Sequence, residues 1–202
     1  MKSTSGLRIV TILRRVFIDL LKELISLESV SGSESAIGDF LFSFLSPYFK
    51  VQKIRVKENR FNILAVAGVP RLYFNTHLDT VPIGNNMLRE DDEFIYGRGA
   101  CDAKGSMAAM VCAAISARKK GLTDFGLFFD VGEEDDFCGI LKGLPETDPR
   151  FVVIGEPTEL VPVIGQRGLL GFKLSAKARR LMARGLNSVC VRYRRLLARY
   201  LY

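Results

Sequence analysis

Short apolar runs that alternate with amphipathic helical segments, and that end in charged turns, limit the fold of this sequence more than any other feature. Five such runs stand out: Phe49–Val56, Phe61–Ala67, Arg71–Thr76, Phe125–Val131 and Phe151–Ile154. Ile9, Ile12, Leu13, Val16, Phe17, Leu20, Leu24 and Leu27 fall on one stripe of a first helix, with Arg8, Arg15, Asp19, Lys22 and Ser26 turned away. Ser31 and Glu34 have capping-box spacing. They open a second helix with Ile37, Phe40, Leu41, Phe44 and Leu45 on one face, closed by Pro47. A third helix over 103–119 carries Met107, Met110, Val111, Ala114, Ile115 and Arg118 at helical spacing and ends at Gly121. The last two apolar runs read as buried strands, and residues 83–96 as one long polar loop. Val161–Gly165 and Leu169–Ser175 are further strand candidates. Strands alternating with helices predict an α/β fold with a mixed, mostly parallel sheet.

The chain has 202 residues, enough for one generous domain or for one domain and part of a second. Its 48% hydrophobic and 25% charged residues exclude disorder for the bulk of it. No apolar run reaches the roughly 18 residues of a membrane span, so no membrane partner is expected. Arg8, Arg14 and Arg15 interrupt the N-terminal apolar stretch, which speaks against a secretory signal. Cys101, Cys112, Cys138 and Cys190 show no C-x-x-C spacing and read as reduced thiols of a cytoplasmic protein. The net charge of +7 is local: eight Lys and Arg, and no Asp or Glu, lie in 177–202. The body is near neutral, so a uniformly basic nucleic-acid binder is excluded and no nucleic-acid partner is expected.

Ionisable groups recur where the predicted strands end: His77 and Asp79, then Glu133 and Glu134, then Glu156, with Asp102 at the start of a helix. Ligands of open α/β sheets bind beyond the carboxyl ends of the strands. Carboxylates and an imidazole delivered there suit Zn²⁺, Co²⁺ or Mn²⁺. Each piece alone has a plainer explanation. A lone histidine is commonly structural, paired glutamates are commonly solvated surface, and Asp102 can cap the helix that follows it. The glycines at 97, 99 and 105 do not make a phosphate loop, because Asp102 stands where the third glycine of G-x-G-x-x-G would be. Their joint occurrence, each at the end of an element, favours a site.

Four strings carry a resemblance: Thr76-His77-Leu78-Asp79-Thr80-Val81-Pro82, Tyr96 through Gly105, Val131-Gly132-Glu133-Glu134, and Ile154-Gly155-Glu156-Pro157-Thr158. Over roughly residues 15–177 the chain resembles the acetylornithine deacetylase and succinyl-diaminopimelate desuccinylase family of co-catalytic metallohydrolases. Their catalytic domain is of the zinc carboxypeptidase and aminopeptidase type. The resemblance implies a three-layer helix-sheet-helix domain with two divalent metal ions, Zn or Co. It implies that His77 and Glu156 bind one ion, Glu134 the other, and Asp102 bridges both. Asp79 would orient the His77 imidazole, and Glu133 would be the general base. The implied reaction is hydrolysis of an N-acyl amino acid, a small-molecule substrate, as in the deacetylation of acetylornithine or acetyl-lysine in arginine or lysine biosynthesis.

The chain departs from that family in two ways. His77 is its single histidine, whereas the family has a later histidine for the second metal and another on an inserted dimerisation domain. The expected division is a catalytic domain over 1–166, the start of the dimerisation domain over 167–177, and a basic tail over 178–202. Where relatives carry Ala-His-Gly, this chain has Arg180-Leu181-Met182-Ala183, which a reading frame shifted by one base could restore. The tail thus reads as out of frame, with an authentic basic segment that binds nucleic acid or membrane as the alternative. Ligand counting predicts one metal held firmly, a second loosely, and activity near background; the family is often homodimeric, through the dimerisation domain that is only begun here. A catalytically dead metal-binding remnant is the competing reading.

Overall fold

The computed structural model describes residues 4–165 other than 83, 85 and 86, and no side chain before Arg14. The expected strand Leu169–Ser175, the beginning of a second domain, the basic tail and Cys190 lie outside the described residues. The chain divides into units 1–162 and 163–202, and the account below concerns the first.

The elements run α1 (Thr4–Ser26), α2 (Ser35–Leu45), β1 (Lys50–Lys57), β2 (Arg60–Ala67), β3 (Leu72–His77), β4 (Arg89–Glu90), β5 (Ile95–Tyr96), α3 (Lys104–Lys119), β6 (Phe125–Asp130), α4 (Cys138–Thr147) and β7 (Phe151–Ile154). Five strands form one sheet in the order β1-β2-β6-β3-β7. The β1–β2 and β2–β6 pairs are antiparallel, and β3 pairs parallel with both β6 and β7. The sheet is therefore mixed, divided evenly between the two pairings.

Side-chain alternation along the strands builds two cores. Ile63, Ala65, Leu127 and Phe129 point to the face covered by α1, α2 and α3, where they meet Leu24, Leu41 and Val111. Leu64, Tyr73 and Phe128 point the other way and pack with Ile140 of α4. This is the three-layer arrangement the resemblance implies. α4 lies close on the sheet because Gly143 has no side chain: a Cβ there would sit 2.1 Å from the Phe128 ring.

Several sequence expectations are corrected. Residues 83–96 are not all loop, because Arg89–Glu90 pairs with Ile95–Tyr96 in a small hairpin. Its turn is made by Asp91, whose Oδ1 accepts from the Glu93 and Phe94 amides. Two-residue strands are too short to show periodicity. The capping box at Ser31 and Glu34 does not form. The helix starts at Ser35 without a side-chain cap, because the Glu34 carboxylate is taken by Arg60. Val16, placed on the apolar stripe of α1, is 45% exposed, and burial is carried by Leu20, Leu21, Leu24 and Ile25. β7 forms as expected but is not buried. It is one of the sheet's two edge strands, and among the described residues little covers its faces. Residues 161–165 form no strand.

Candidate metal centre

β3 and β6 run parallel, so their carboxyl ends open on the same rim, and the turns after them place the ionisable groups. His77 is the last residue of β3 and is 1% exposed. Its Nδ1 lies 2.8 Å from the main-chain carbonyl of Asp79 and its Nε2 lies 2.9 Å from Asp102 Oδ1. Both neighbours are acceptors, an arrangement that favours a proton on each nitrogen when no cation is bound. Burial opposes that charge, but Asp79 and Asp102 outweigh it and push the His77 pKa up to about 10.

The Asp79 side chain is completely buried. Its Oδ2 accepts the Ser31 hydroxyl at 2.6 Å and the Glu134 amide at 3.1 Å. Its Oδ1 accepts the Glu133 amide at 3.1 Å and lies 3.6 Å from His77 Nδ1. Burial disfavours its charge, yet His77, Ser31 and the Glu134 amide hold its pKa below the usual carboxylate range. The orienting contact to His77 Nδ1 thus comes nearest through the Asp79 carbonyl, while the carboxylate clamps the turn that bears the two glutamates. That turn is possible because Gly132 adopts φ +79, and a Cβ there would lie 2.8 Å from Asp136 Oδ1.

Asp102 does not cap α3. The N-cap position is Ala103, without a side-chain bond, and the Asp102 carboxylate faces His77 instead. Lys104, the first residue of α3, is buried and donates from Nζ to the Leu27 carbonyl at 2.8 Å, with its pKa lowered to about 8 by burial. Glu156 follows β7. The Gly155 amide donates to the Asn75 carbonyl and the Thr76 hydroxyl donates to the Gly155 carbonyl, which sets Glu156 Oε1 4.0 Å from His77 Nε2. One donor atom each from His77, Asp102 and Glu134 lie within 4.8 Å of one another. Burial raises the carboxyl pKa values of Glu133, Glu134 and Glu156, with neighbouring carboxylates adding to the rise and His77 opposing it.

All six residues singled out in the sequence thus meet on one rim. Donors of a single first-row ion stand about 3–4 Å apart when each bond is about 2.0–2.2 Å; His77, Asp102 and Glu134 come near that spacing, and Glu156 is placed beside them only through its 4.0 Å approach to His77. The cluster has an excess of carboxylates, and a proton on His77 Nε2 stands where a cation would be held. Sequence reasoning missed Ser31, Glu34 and Arg60, which brace the turns behind the rim, and Asp130, buried beside His77. Asp130 accepts from Asn75 Nδ2 at 2.9 Å, and burial raises its pKa to about 6. Buried polar side chains inside otherwise apolar strands were the signal for Asp130; Ser31 gave none beyond helix capping.

The sequence pattern of peptidase family M20/M25/M40 matches residues 73–190, more than half of the chain. The chain belongs to this family. A probable carboxypeptidase from Aspergillus terreus is 37% identical over 183 residues, spanning 79% of this chain and 42% of that protein. The M20-family chain therefore spans less than half the length of such relatives. Human carnosine dipeptidase 1 shares the fold with a TM-score of 0.64 at 19% identity, over 73% of this chain and 39% of that one. A dinuclear metal-binding M20 peptidase from Bacillus subtilis does so with a TM-score of 0.52 at 15% identity, over 67% and 40%. Among the described residues Cys101, Cys112 and Cys138 are free thiols, and no helix is long and apolar enough to cross a membrane.

Proposed function

We propose that this chain is the metal-binding part of a hydrolase that cleaves an amide bond next to a free amino-acid carboxylate. The observation that carries the reading is the convergence of His77, Asp102 and Glu134, with Glu156 beside them, on one rim of the sheet. A divalent cation held there, or a pair sharing Asp102 as the resemblance implies, would polarise the scissile carbonyl and offset the charge that develops on its oxygen.

The chain's own residues supply the rest. Folding fixes His77 through Nδ1, so Nε2 is the nitrogen offered to the cation. Asp79 holds the 133–134 turn by both amides, which sets the direction of Glu133. Glu133 has no assigned place among the ligands and acts as the general base on the attacking water. Its raised pKa helps it to keep that proton and pass it to the leaving amine.

The fungal relatives are named probable carboxypeptidases, which favours release of a C-terminal amino acid from a peptide. The motif strings favour the chemically related removal of an acyl group from an N-acyl amino acid. A cytoplasmic location, a small-molecule amide substrate and no nucleic-acid partner go with both.

The test compares hydrolysis of an N-blocked dipeptide with that of N-acetylornithine in Co²⁺, before and after His77→Ala. Slow dipeptide cleavage, little above background, that His77→Ala abolishes is the expected result. Cleavage of N-acetylornithine alone would move the reading to the biosynthetic deacetylases. Cobalt binding with neither activity would make the chain a metal-binding module.

A further inference from the structure

The geometry points to Ser31 as a positioning residue of the metal site, holding the Asp79 carboxylate in the orientation that receives both glutamate amides. This rests on the reading above, in which Glu133 is the base and Glu134 a ligand. Ser31 lies in the loop between α1 and α2, 48 residues from Asp79, and it donates from Oγ to Oδ2 at 2.6 Å. Helix capping does not explain it, because α2 begins four residues later and its first turn has no side-chain cap. Nor does core packing, since Ser31 is only half-buried.

The loop is held so that the hydroxyl can aim. The Ser31 amide donates to the Thr80 carbonyl at 3.1 Å, and the Thr80 amide donates to the Ser29 carbonyl at 2.9 Å. This short parallel bridge ties the loop to the segment just after Asp79. On its other side Glu34 accepts the Gly32 amide at 3.0 Å and pairs with buried Arg60 through two bonds, one of 2.9 Å from Nε. Arg60 reaches the second turn as well: a Cβ on Gly132 would lie 2.9 Å from its Nη2. The loop before α2 and the 132–134 turn are therefore braced against one another, and Ser31 is the side chain that bonds to the carboxylate between them.

The carboxylate has two oxygens and two amides to serve. Oδ2 has the Ser31 hydroxyl and the Glu134 amide, while Oδ1 has the Glu133 amide and, further off, His77 Nδ1. Without the hydroxyl, Oδ2 loses its shortest bond and the group is free to turn toward the imidazole. The turn amides then lose their acceptor, and Glu133 and Glu134 lose their direction. Losing a partner that orients metal ligands typically costs about 10–100-fold in affinity, and Ser31 acts at one remove, so the lower end applies.

The experiment uses the 202-residue chain as Ser31→Ala, Ser31→Thr and, as a control on the same loop, Ser33→Ala. Amide hydrogen exchange is read without metal, and affinity is read by titration with Co²⁺ alone. Protection at the Glu133 and Glu134 amides should fall about tenfold in Ser31→Ala, the worth of one hydrogen bond to a charged group. It should stay in Ser31→Thr, which keeps the hydroxyl, and in Ser33→Ala. Cobalt affinity should fall about tenfold in Ser31→Ala alone. Unchanged protection at 133 and 134 overturns the proposal, and so does equal loss across β3 and β6, which would mark a general structural role. Lost protection with unchanged cobalt affinity also overturns it. Wild-type chain that takes up no cobalt would instead refute the metal reading, and the exchange measurement would then decide Ser31 on its own.

Discussion

The site has two halves built on different terms. The inner half, His77 and Asp79, is buried, with side chains 1% and 0% exposed and every nitrogen and oxygen engaged. The outer half is open: the Asp102 and Glu156 side chains are 50% and 37% exposed, and Glu134 is exposed too. The inner half is assembled by folding, because leaving a buried carboxylate or imidazolium unpaired costs several kcal/mol. The outer half collects like charges that folding alone does not favour. Inner residues should therefore govern stability, and outer residues should govern affinity for a cation.

The largest effect is expected from Asp79→Ala. It takes one of the two carboxylates away from buried His77, leaving Asp102 and the residue-79 carbonyl, and removes the acceptor of two turn amides. A loss of about 3–5 kcal/mol in denaturant unfolding of the metal-free chain is expected, and a loss below about 1 kcal/mol would erase the distinction between the halves.

Asp130 sharpens the comparison, since it is buried like Asp79 but has one side-chain donor, Asn75, in place of three groups. Burial wins, and its pKa rises to about 6 from 3.8. Below the unfolded value both states hold the proton and nothing is lost. Between about 3.8 and about 6 the unfolded chain gives up the proton while the folded chain keeps it, so stability falls with pH across that window, by about 3 kcal/mol in all at 1.36 kcal/mol per pKa unit. Asp130→Asn should therefore stabilise the metal-free chain by up to about that much at pH 8 and hardly at all at pH 3. Equal effects at both pH values would contradict this cause.

Gly132→Ala comes next. It forces an alanine into left-handed backbone and into Asp136, and should cost about 1–3 kcal/mol in a thermal or urea melt. The smallest change in stability belongs to the outer half. Glu134→Gln should leave unfolding within about 0.5 kcal/mol of wild type while weakening Co²⁺ binding. Destabilisation by more than about 2 kcal/mol would place Glu134 in the inner framework.

Much of this was legible in the sequence because it depends on periodicity and on where strands stop. The seven-residue run from Phe125 to Val131 marked β6, and the groups just beyond the strand ends, His77, Asp79, Glu133, Glu134 and Glu156, do meet on one rim. What escaped depends on partners far away in the chain. Ser31 and Glu34 have the spacing of a capping box, but Asp79 and Arg60 compete for them and win, because bonds to charged groups are stronger than a helix cap. The β4–β5 hairpin escaped because two residues have no period. The burial of β7 was overestimated because composition reports apolarity, and an edge strand is covered only where another element reaches it.

In the proposed cation site a proton on His77 would keep the cation's place. Calorimetric titration of the chain with Zn²⁺, in buffers of different ionisation heat between pH 6 and pH 9, tests it most directly. With the His77 pKa near 10 in the free chain, binding should release about one proton, and apparent affinity should rise about tenfold per pH unit. One equivalent should bind tightly, and His77→Ala should abolish it. Zinc uptake that is absent, or that is indifferent both to pH and to the loss of His77, would contradict the account.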